Sequence, residues 1–435
     1  MNKTFRMLLT CLYLLTTSNH VLAEHVTSGS FKYSYSYNYE QESAQASKVL
    51  ADYTLESHFD TFSTRLELGL MHDSFDALGI GQDSIYAQRQ LNPWRFENSE
   101  LGFNEAYVKF EGLRYQFTVG KQVVSWGRAD AIYLLNTINP FDLRETLILD
   151  DEEKFLGLWM FNSQIYFDDN ELQILVIPDT NGHILPCREC QYQIRAEHFH
   201  ASGIELLQGI YDDTKKTMSF QNTSVAARWS VSSEGLDYTL NIMRQLAHVP
   251  ALQVVWEEGT SIGNLQRDLE TKLGGSLSFA SDSWAYRFEG MHFIDRTLAT
   301  KHIGLYNGLS KANGLEYLLG FDYFGFDDAT LMLQLHQQII TSHSSRLNVE
   351  QYREKISLTY DSNFFNQRFM LRTFIMYGVD DQDSYLQLDL RYNHFDGFYS
   401  FVRLDAFSGD TTPFLGEMSQ FNPDSRLAFG VEYNF

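Results

Sequence analysis

Arg426-Leu427-Ala428-Phe429-Gly430-Val431-Glu432-Tyr433-Asn434-Phe435 closes the chain, and how it is read decides the fold. Leu427, Phe429, Val431, Tyr433 and Phe435 are apolar or aromatic, while Arg426, Gly430, Glu432 and Asn434 fall between them. Successive side chains of a strand point to opposite faces, so this alternation gives one greasy face and one wet face. An ordinary half-buried terminal strand reads the same way over so short a span. The chain then stops on Phe435, an apolar carboxyl terminus that a water-soluble domain would rarely leave exposed.

This ending resembles the C-terminal recognition strand of Gram-negative outer-membrane barrels. The resemblance implies that Tyr433 and Phe435 form the assembly signal read by the barrel-insertion machinery. At the opposite end, Lys3 and Arg6 precede the apolar run from Met7 to Leu15, and Val21-Leu22-Ala23 follows a polar stretch. A basic start, a short apolar core and a small residue at the exit predict a signal peptide over residues 1–23, cut after Ala23. Cys11 would leave with it; a lipid-attachment role fits poorly, because the apolar run continues past this residue.

The mature chain, 24–435, is then one domain. Removing Lys3 and Arg6 from 33 basic residues leaves 31 against 56 acidic ones, a formal charge of −25. That balance argues against nucleic acid as a partner. No later window holds the roughly eighteen apolar residues that a membrane-spanning helix needs. Yet aromatics make up 15% of the chain, and Tyr alone numbers 25. A polar average with many aromatics suits a transmembrane barrel, whose strands alternate lipid-facing and water-facing residues between aromatic girdles. A secreted sandwich or propeller is the competing class, but no repeat of about forty to fifty residues marks blades.

Taken in order, the alternation predicts strands at 31–39, 49–58, 62–72, 101–110, 114–123, 155–167, 171–177, 222–231, 236–246, 272–280, 284–294, 314–324, 329–340, 352–360, 368–378, 385–393, 398–407 and 426–435. The fold class is therefore an all-β, antiparallel transmembrane β-barrel of about 16–18 strands. Eight short connections, at Phe59, Glu111, Asp168, Ser232, Ser281, Gly325, Asp361 and His394, alternate with mostly longer ones. Pro93, Pro140, Pro178, Pro186, Pro250, Pro413 and Pro423 sit in or beside the longer connections, since proline inside a strand would break the ladder. Short periplasmic turns and long outer loops give the chain an address, the outer membrane, with lipid and lipopolysaccharide as its surroundings. In hydrocarbon every backbone group must be paired internally, so the first strand must meet the strand ending at Phe435.

The same alternation turns Arg65, Glu67, Lys109, Arg287, Glu289, Lys355, Arg372, Asp389, Arg391, Arg403, Asp405 and Glu432 into the lumen. Two readings stand: a salt-bridge lattice stiffening the wall, or a polar path of mixed sign that selects weakly between anions and cations. Acidic runs such as Asp150-Asp151-Glu152-Glu153 read as solvated outer loops that bind divalent ions loosely.

From the fifth of these strands toward the sixth, the sequence runs Gly120-Lys121-Gln122-Val123-Val124-Ser125-Trp126-Gly127-Arg128-Ala129-Asp130, then Asn139-Pro140-Phe141-Asp142-Leu143-Arg144. Trp126-Gly127 ends a strand with a residue that tolerates positive φ, and Asn139-Pro140 makes a rigid turn with Asp142 placed to cap a short helix over 143–149. Ile132, Tyr133, Leu134, Leu135 and Ile138 make the segment too greasy for a solvated loop. It is expected to fold inward and constrict the pore, with Arg128, Asp130, Asp142 and Arg144 as polar contacts; packing as a lid on the rim is the alternative. The Gly-x-Gln, Trp-Gly and Asn-Pro-x-Asp series resembles a family of Gram-negative outer-membrane proteins known only as a domain of unknown function. That resemblance implies a porin-like barrel, in some members found with an envelope export pump for hydrophobic compounds, and supplies no catalytic residue.

Cys187 and Cys190, with two residues between them, sit near His183, His198 and His200. In an oxidising compartment a local disulfide is the first expectation and a metal cluster the second. His292, His336, His343 and Ser344 could be recruited for hydrolysis, but nothing sets their spacing apart from chance. The expected function is an outer-membrane channel for a small or lipid-like solute, with no enzyme activity and no cofactor or metal. A non-transporting adhesin or assembly partner is the second class, and an outer-membrane hydrolase the third.

Overall fold

The computed structural model describes residues 24–80, 94–127, 132–145, 155–186, 190–192, 209–212, 218–233, 235–257, 260–301, 308–410 and 417–435, with backbone alone for 209–212 and 252–265. The expected leader, 1–23, lies outside them. The strands are β1 (Glu24–Asn38), β2 (Ser43–His58), β3 (Phe62–Asp73), β4 (Trp94–Phe96), β5 (Ser99–Glu111), β6 (Tyr115–Gln122), β7 (Leu158–Phe167) and β8 (Asn170–Ile177). Next come β9 (Gly209–Asp212), β10 (Ser224–Ser233), β11 (Leu236–Leu246), β12 (Ala251–Glu257), β13 (Thr260–Gln266), β14 (Leu269–Ser281), β15 (Trp284–Ala299) and β16 (Leu309–Phe326). The last are β17 (Ala329–Ile340), β18 (Tyr352–Phe364), β19 (Phe369–Gly378), β20 (Asp383–Phe395), β21 (Phe398–Ser408) and β22 (Arg426–Asn434).

Among the described residues nineteen strands join one sheet, in which the three-residue β4 pairs only with β5; the other eighteen form a closed antiparallel barrel. Closure is made by β1 against β22, from Ser30 opposite Asn434 to Asn38 opposite Arg426. Each expected strand has its counterpart, with shifted ends. β1 starts at Glu24 rather than Phe31, because Glu24 to Ser28 pair with His58 to Thr54 of β2 beyond the reach of β22. β7 starts at Leu158 rather than Phe155, because Phe155 is taken by an isolated bridge to Phe141. The small sheet of β12, β13 and β9, with β9 parallel to β13, lies in the long connections and had no counterpart in the expectation.

Facing decides what each side touches. Phe429 on β22, Val402 on β21, Leu390 on β20 and Ile375 on β19 are all exposed on the outer wall, while Arg426, Arg403, Asp389 and Phe374 beside them are buried inward. A band of that size would be an aggregation liability in water; surrounded by hydrocarbon it is solvated. No helix of the described residues is long and apolar enough to cross a membrane, which leaves the crossing to the strands. The described part of the connection between β6 and β7 turns into the barrel, where its apolar side chains join two of the interior clusters.

Candidate functional site

The inward segment begins where two strands touch closely. At Gly120 (φ 138°) a Cβ would lie 2.3 Å from the Ala106 carbonyl oxygen, so this β6 position admits only glycine. Gln122 accepts from the Asn162 amide at 3.1 Å and reaches the Met160 carbonyl at 3.3 Å, fixing the top of β6 to β7. Asn139 then ties both stems. Its Oδ1 accepts the Val124 N–H at 2.8 Å, and its Nδ2 donates to the carbonyls of Gln122 at 3.1 Å and Leu156 at 2.8 Å. Pro140 contributes its carbonyl, which accepts the Leu156 N–H at 2.9 Å.

Trp126 is fully buried. Its indole N–H donates to Gln173 Oε1 at 2.8 Å, and the Arg228 guanidinium lies 5.5 Å from the ring. Trp126, Val124 and Ile138 pack on inward side chains of β7, β8, β10 and β11, among them Met160, Leu175 and Met243. At Gly127 (φ 94°) a Cβ would sit 2.9 Å from Glu289 on β15, so the Trp-Gly pair places a large anchor beside a sharp turn. Leu134 and Leu135 pack on Met291 and Leu318, and Ile132 reaches the cluster of Phe374, Tyr385 and Phe407. The segment therefore spans from the β7–β11 wall to β15–β16 and on to β19–β21.

Its return is ionic. Arg144 is buried and pairs with Asp142 and with Glu100 on β5, the latter at 2.6 Å. Asp142 also accepts the Arg144 main-chain N–H at 3.1 Å. Leu143 precedes a turn at 144–145 rather than opening the expected helix, whose remainder falls outside the described residues. Glu145 joins Lys48 on β2 and, at 2.9 Å, Arg426 on β22. Burial alone would raise the Glu145 carboxyl, but the two cations prevail and hold it at about 2.

A latch of neighbouring loops backs the segment. Phe141 N–H donates to His183 Nδ1 at 2.8 Å, with the two rings stacked at 5.1 Å. His248 Nε2 lies 3.1 Å from the carbonyls of both Thr137 and Ile138. Arg267 donates to the carbonyls of Thr180 at 2.6 Å and Asn181 at 3.2 Å. Burial pushes the His183 imidazole well below its ordinary value, and His248, Arg267 and Lys272 push the same way. His248 is lowered to about 3 by burial and then by Arg267 and Lys272, against a lift from the two carbonyls.

Of the twelve charges expected in the lumen, eleven form the following ion pairs among the described residues: Arg65 with Glu67, Glu56 and Glu105, Lys109 with Glu111, and Arg287 with Asp322. Lys355 meets Glu417, Arg372 meets Asp361, Arg391 meets Asp389 and Glu432, Arg403 meets Asp389, and Asp405 meets Arg426. Glu289 accepts the Leu135 N–H at 3.2 Å, so it faces the inward segment. Arg128, Asp130 and Cys187 lie outside the described residues, as do His198 and His200. Cys190 is disulfide-bonded. β16 separates His292 on β15 from His336 on β17, and His343 contacts the Val349 carbonyl at 3.1 Å in its own loop. Among the described residues no group of three or more metal-ligating side chains comes together.

Sequence reasoning missed Glu145, Lys48, Glu100, His248 and Arg267, and placed His183 beside the cysteines instead of in this latch. Lys48 and Glu145 are 97 residues apart and Arg426 and Glu145 are 281 apart, a separation on which alternation carries no information.

A family described as "Protein of unknown function (DUF1302)" matches residues 27–174, which include the Gly120–Arg144 stretch. No curated protein matches the chain. Among solved structures, OccAB1 of Acinetobacter baumannii is similar with a TM-score of 0.53 at 8% identity, covering 96% of this chain and 97% of that one. OccAB4 of the same organism gives 0.52 at 11% identity over 96% and 100% of the two chains. The outer membrane protein opdK from Pseudomonas aeruginosa gives 0.53 at 10% identity over 95% and 99%. At these identities the likeness is one of fold, and the fold is that of an outer-membrane, porin-like β-barrel with many strands.

Proposed function

We propose that the protein is an outer-membrane channel for a small or lipid-like solute, with its bore set by the segment from Val124 to Glu145. One observation carries the reading: that segment is anchored on widely separated sectors of the inner wall, through Trp126, Leu135, Arg144 and Glu145. A chain crossing a wet lumen narrows whatever path remains, and the paired charges below it are mixed in sign. Operation beside an envelope export pump, and recognition of Phe435 by the insertion machinery, belong to the same proposal. The test is conductance of the purified barrel in planar bilayers, with 124–149 intact and shortened. Shortening should raise conductance; two proteins that both fail to conduct would sink the reading. A non-transporting surface role is the second reading, favoured by the small sheet of β9, β12 and β13 built into the long connections. Deleting 209–212 and 251–266 would then abolish a pulled-down partner while leaving permeability unchanged.

A further inference from the structure

The lipid-facing wall carries a cleft beside the closing seam. One outward row runs Phe369, Tyr392, Ser400, Val431, Tyr33, from β19 to β1. Ser400 is the smallest member of the row, and over it opens a cleft of about 390 Å³ that Leu390 and Phe429 also bound. That volume lies in the range of small-molecule sites. A hydroxyl facing hydrocarbon needs a partner, and Ser400 Oγ has one in His394 Nε2 at 3.0 Å, near the end of β20. The bond draws the polar group toward the strand end and leaves the rest of the cleft apolar.

Its depth in the membrane follows from the chain. The connections beside it, 365–368 and 396–397, are short ones, which mark the periplasmic side. Phe369 opens β19, and Leu390 stands five residues before the end of β20. At a tilt of about 45° a strand climbs roughly 2.4 Å per residue along the membrane normal, so the cleft reaches about 12 Å into a hydrocarbon core about 30 Å thick. It therefore opens to the leaflet nearer the periplasm. Two exposed basic side chains flank its mouth: Arg368, which precedes Phe369, and His394, whose ring lies 4.7 Å from that of Tyr392. The Arg368 carbonyl accepts the Asn393 N–H at 2.8 Å, which ties the two strand ends together. Arg368 has no carboxylate partner among the described residues. Asp396, exposed in the turn that follows His394, adds an acid. An apolar cleft below two basic groups and one acid suits an acyl chain below a head that carries a phosphate and an amine.

We propose that this cleft holds one acyl chain of a phospholipid from the periplasmic leaflet, with a zwitterionic head group set against Arg368, His394 and Asp396. The inference needs the lipid-facing wall and is independent of the channel reading. The experiment titrates the detergent-purified barrel with palmitoyl-oleoyl phosphatidylethanolamine and counts bound lipid by native mass spectrometry. Three variants are compared with wild type. Ser400→Phe fills the cleft, and Arg368→Gln removes the guanidinium charge. Ala227→Phe adds the same ring elsewhere on the outer wall, between the exposed Ile174 and Ile242. Migration in unheated SDS gels shows that each barrel is folded. Wild type should hold one lipid at concentrations where Ser400→Phe holds none. Arg368→Gln should need severalfold more lipid, and Ala227→Phe should match wild type. Equal binding by Ser400→Phe would overturn the assignment, and so would an equal loss in Ala227→Phe, which would mean an unspecific coat on the wall. Should Ser400→Phe not fold, Arg368→Gln, outside the cleft itself, decides the matter: unchanged binding there would overturn the assignment. A wild-type dimer that Ser400→Phe breaks would give the cleft to a second copy of the chain instead.

Discussion

Asn139 and Gln122 are joined through the main chain: the Asn139 amide donates to the Gln122 carbonyl at 3.1 Å while its oxygen takes the Val124 N–H two residues later. One side chain therefore replaces the ladder that would have continued β6, and a third bond to Leu156 binds the returning stem. Asn139→Leu leaves those buried main-chain groups unpaired, at a cost on the order of 2–3 kcal/mol for the segment. The barrel itself should persist, because the strand ladder is untouched. Limited proteolysis should cut the variant within 123–157 while wild type resists; equal resistance would show that the clamp is dispensable.

The strands were legible because the solvent on each side of the wall is different, and that difference repeats every second residue. Phe31, Tyr33, Tyr35 and Tyr37 against Lys32, Ser34 and Ser36 needed no partner to be read. Closure was legible too, since an open edge has no place in hydrocarbon. The inward turn was signalled by Leu134, Leu135 and Ile138, too apolar for water. Where those side chains land was not signalled, because Leu135 meets β15 and β16 only through the closed geometry of the barrel. Asn139 was read as the head of a rigid turn and is instead a clamp, as the motif's spacing says nothing about which carbonyls lie within reach.

Glu145 sits buried between Lys48 and Arg426, across the closing seam of β22, β1 and β2. Glu145→Gln leaves two buried cations short of a counter-charge, and breaking such pairs typically costs about 3–5 kcal/mol. The carboxyl titrates at about 2 in the folded protein, below the unfolded range, so its contribution is present above about pH 4.3 and is lost as pH falls toward 2. Thermal unfolding of wild type in detergent should fall through that window, and the variant should lack that part of the slope. A variant with wild-type stability and an unchanged acid limb would remove Glu145 as an anchor.

The latch predicts a second, earlier window. His183 accepts the Phe141 N–H through Nδ1, so that nitrogen must be unprotonated, and both imidazoles face Arg267 and Lys272. Folded values below the ordinary one mean that the latch is at full strength above about pH 6.5 and weakens progressively below it, down to about 3 for His248. Proteolytic access to 123–157, or conductance if the barrel conducts, should therefore rise on acidification from pH 7 to 5. His183→Gln with His248→Gln should flatten that rise. An acid response of the double variant equal to that of wild type would assign it to other groups.

At the seam, Gly430 on β22 lies opposite Ser34 of β1 and Phe401 of β21. A Cβ there would stand 2.0 Å from the Tyr33 carbonyl oxygen and 2.8 Å from the Phe401 ring, so a branched side chain must push apart the two strands that close the barrel. The ladder between them continues to the end, where Gly29 and Phe435 exchange two main-chain bonds of 3.0 Å each. Since lipid offers no substitute partners for the backbone groups that would be freed, the effect should be large and specific to closure. Gly430→Val should lower the temperature at which the folded, fast-migrating band is lost in unheated SDS gels. Gly69→Val, at a β3 position where a Cβ meets nothing within 4 Å, should leave it in place. If the two variants behaved alike, the β1–β22 seam would not be the weak point of the cylinder.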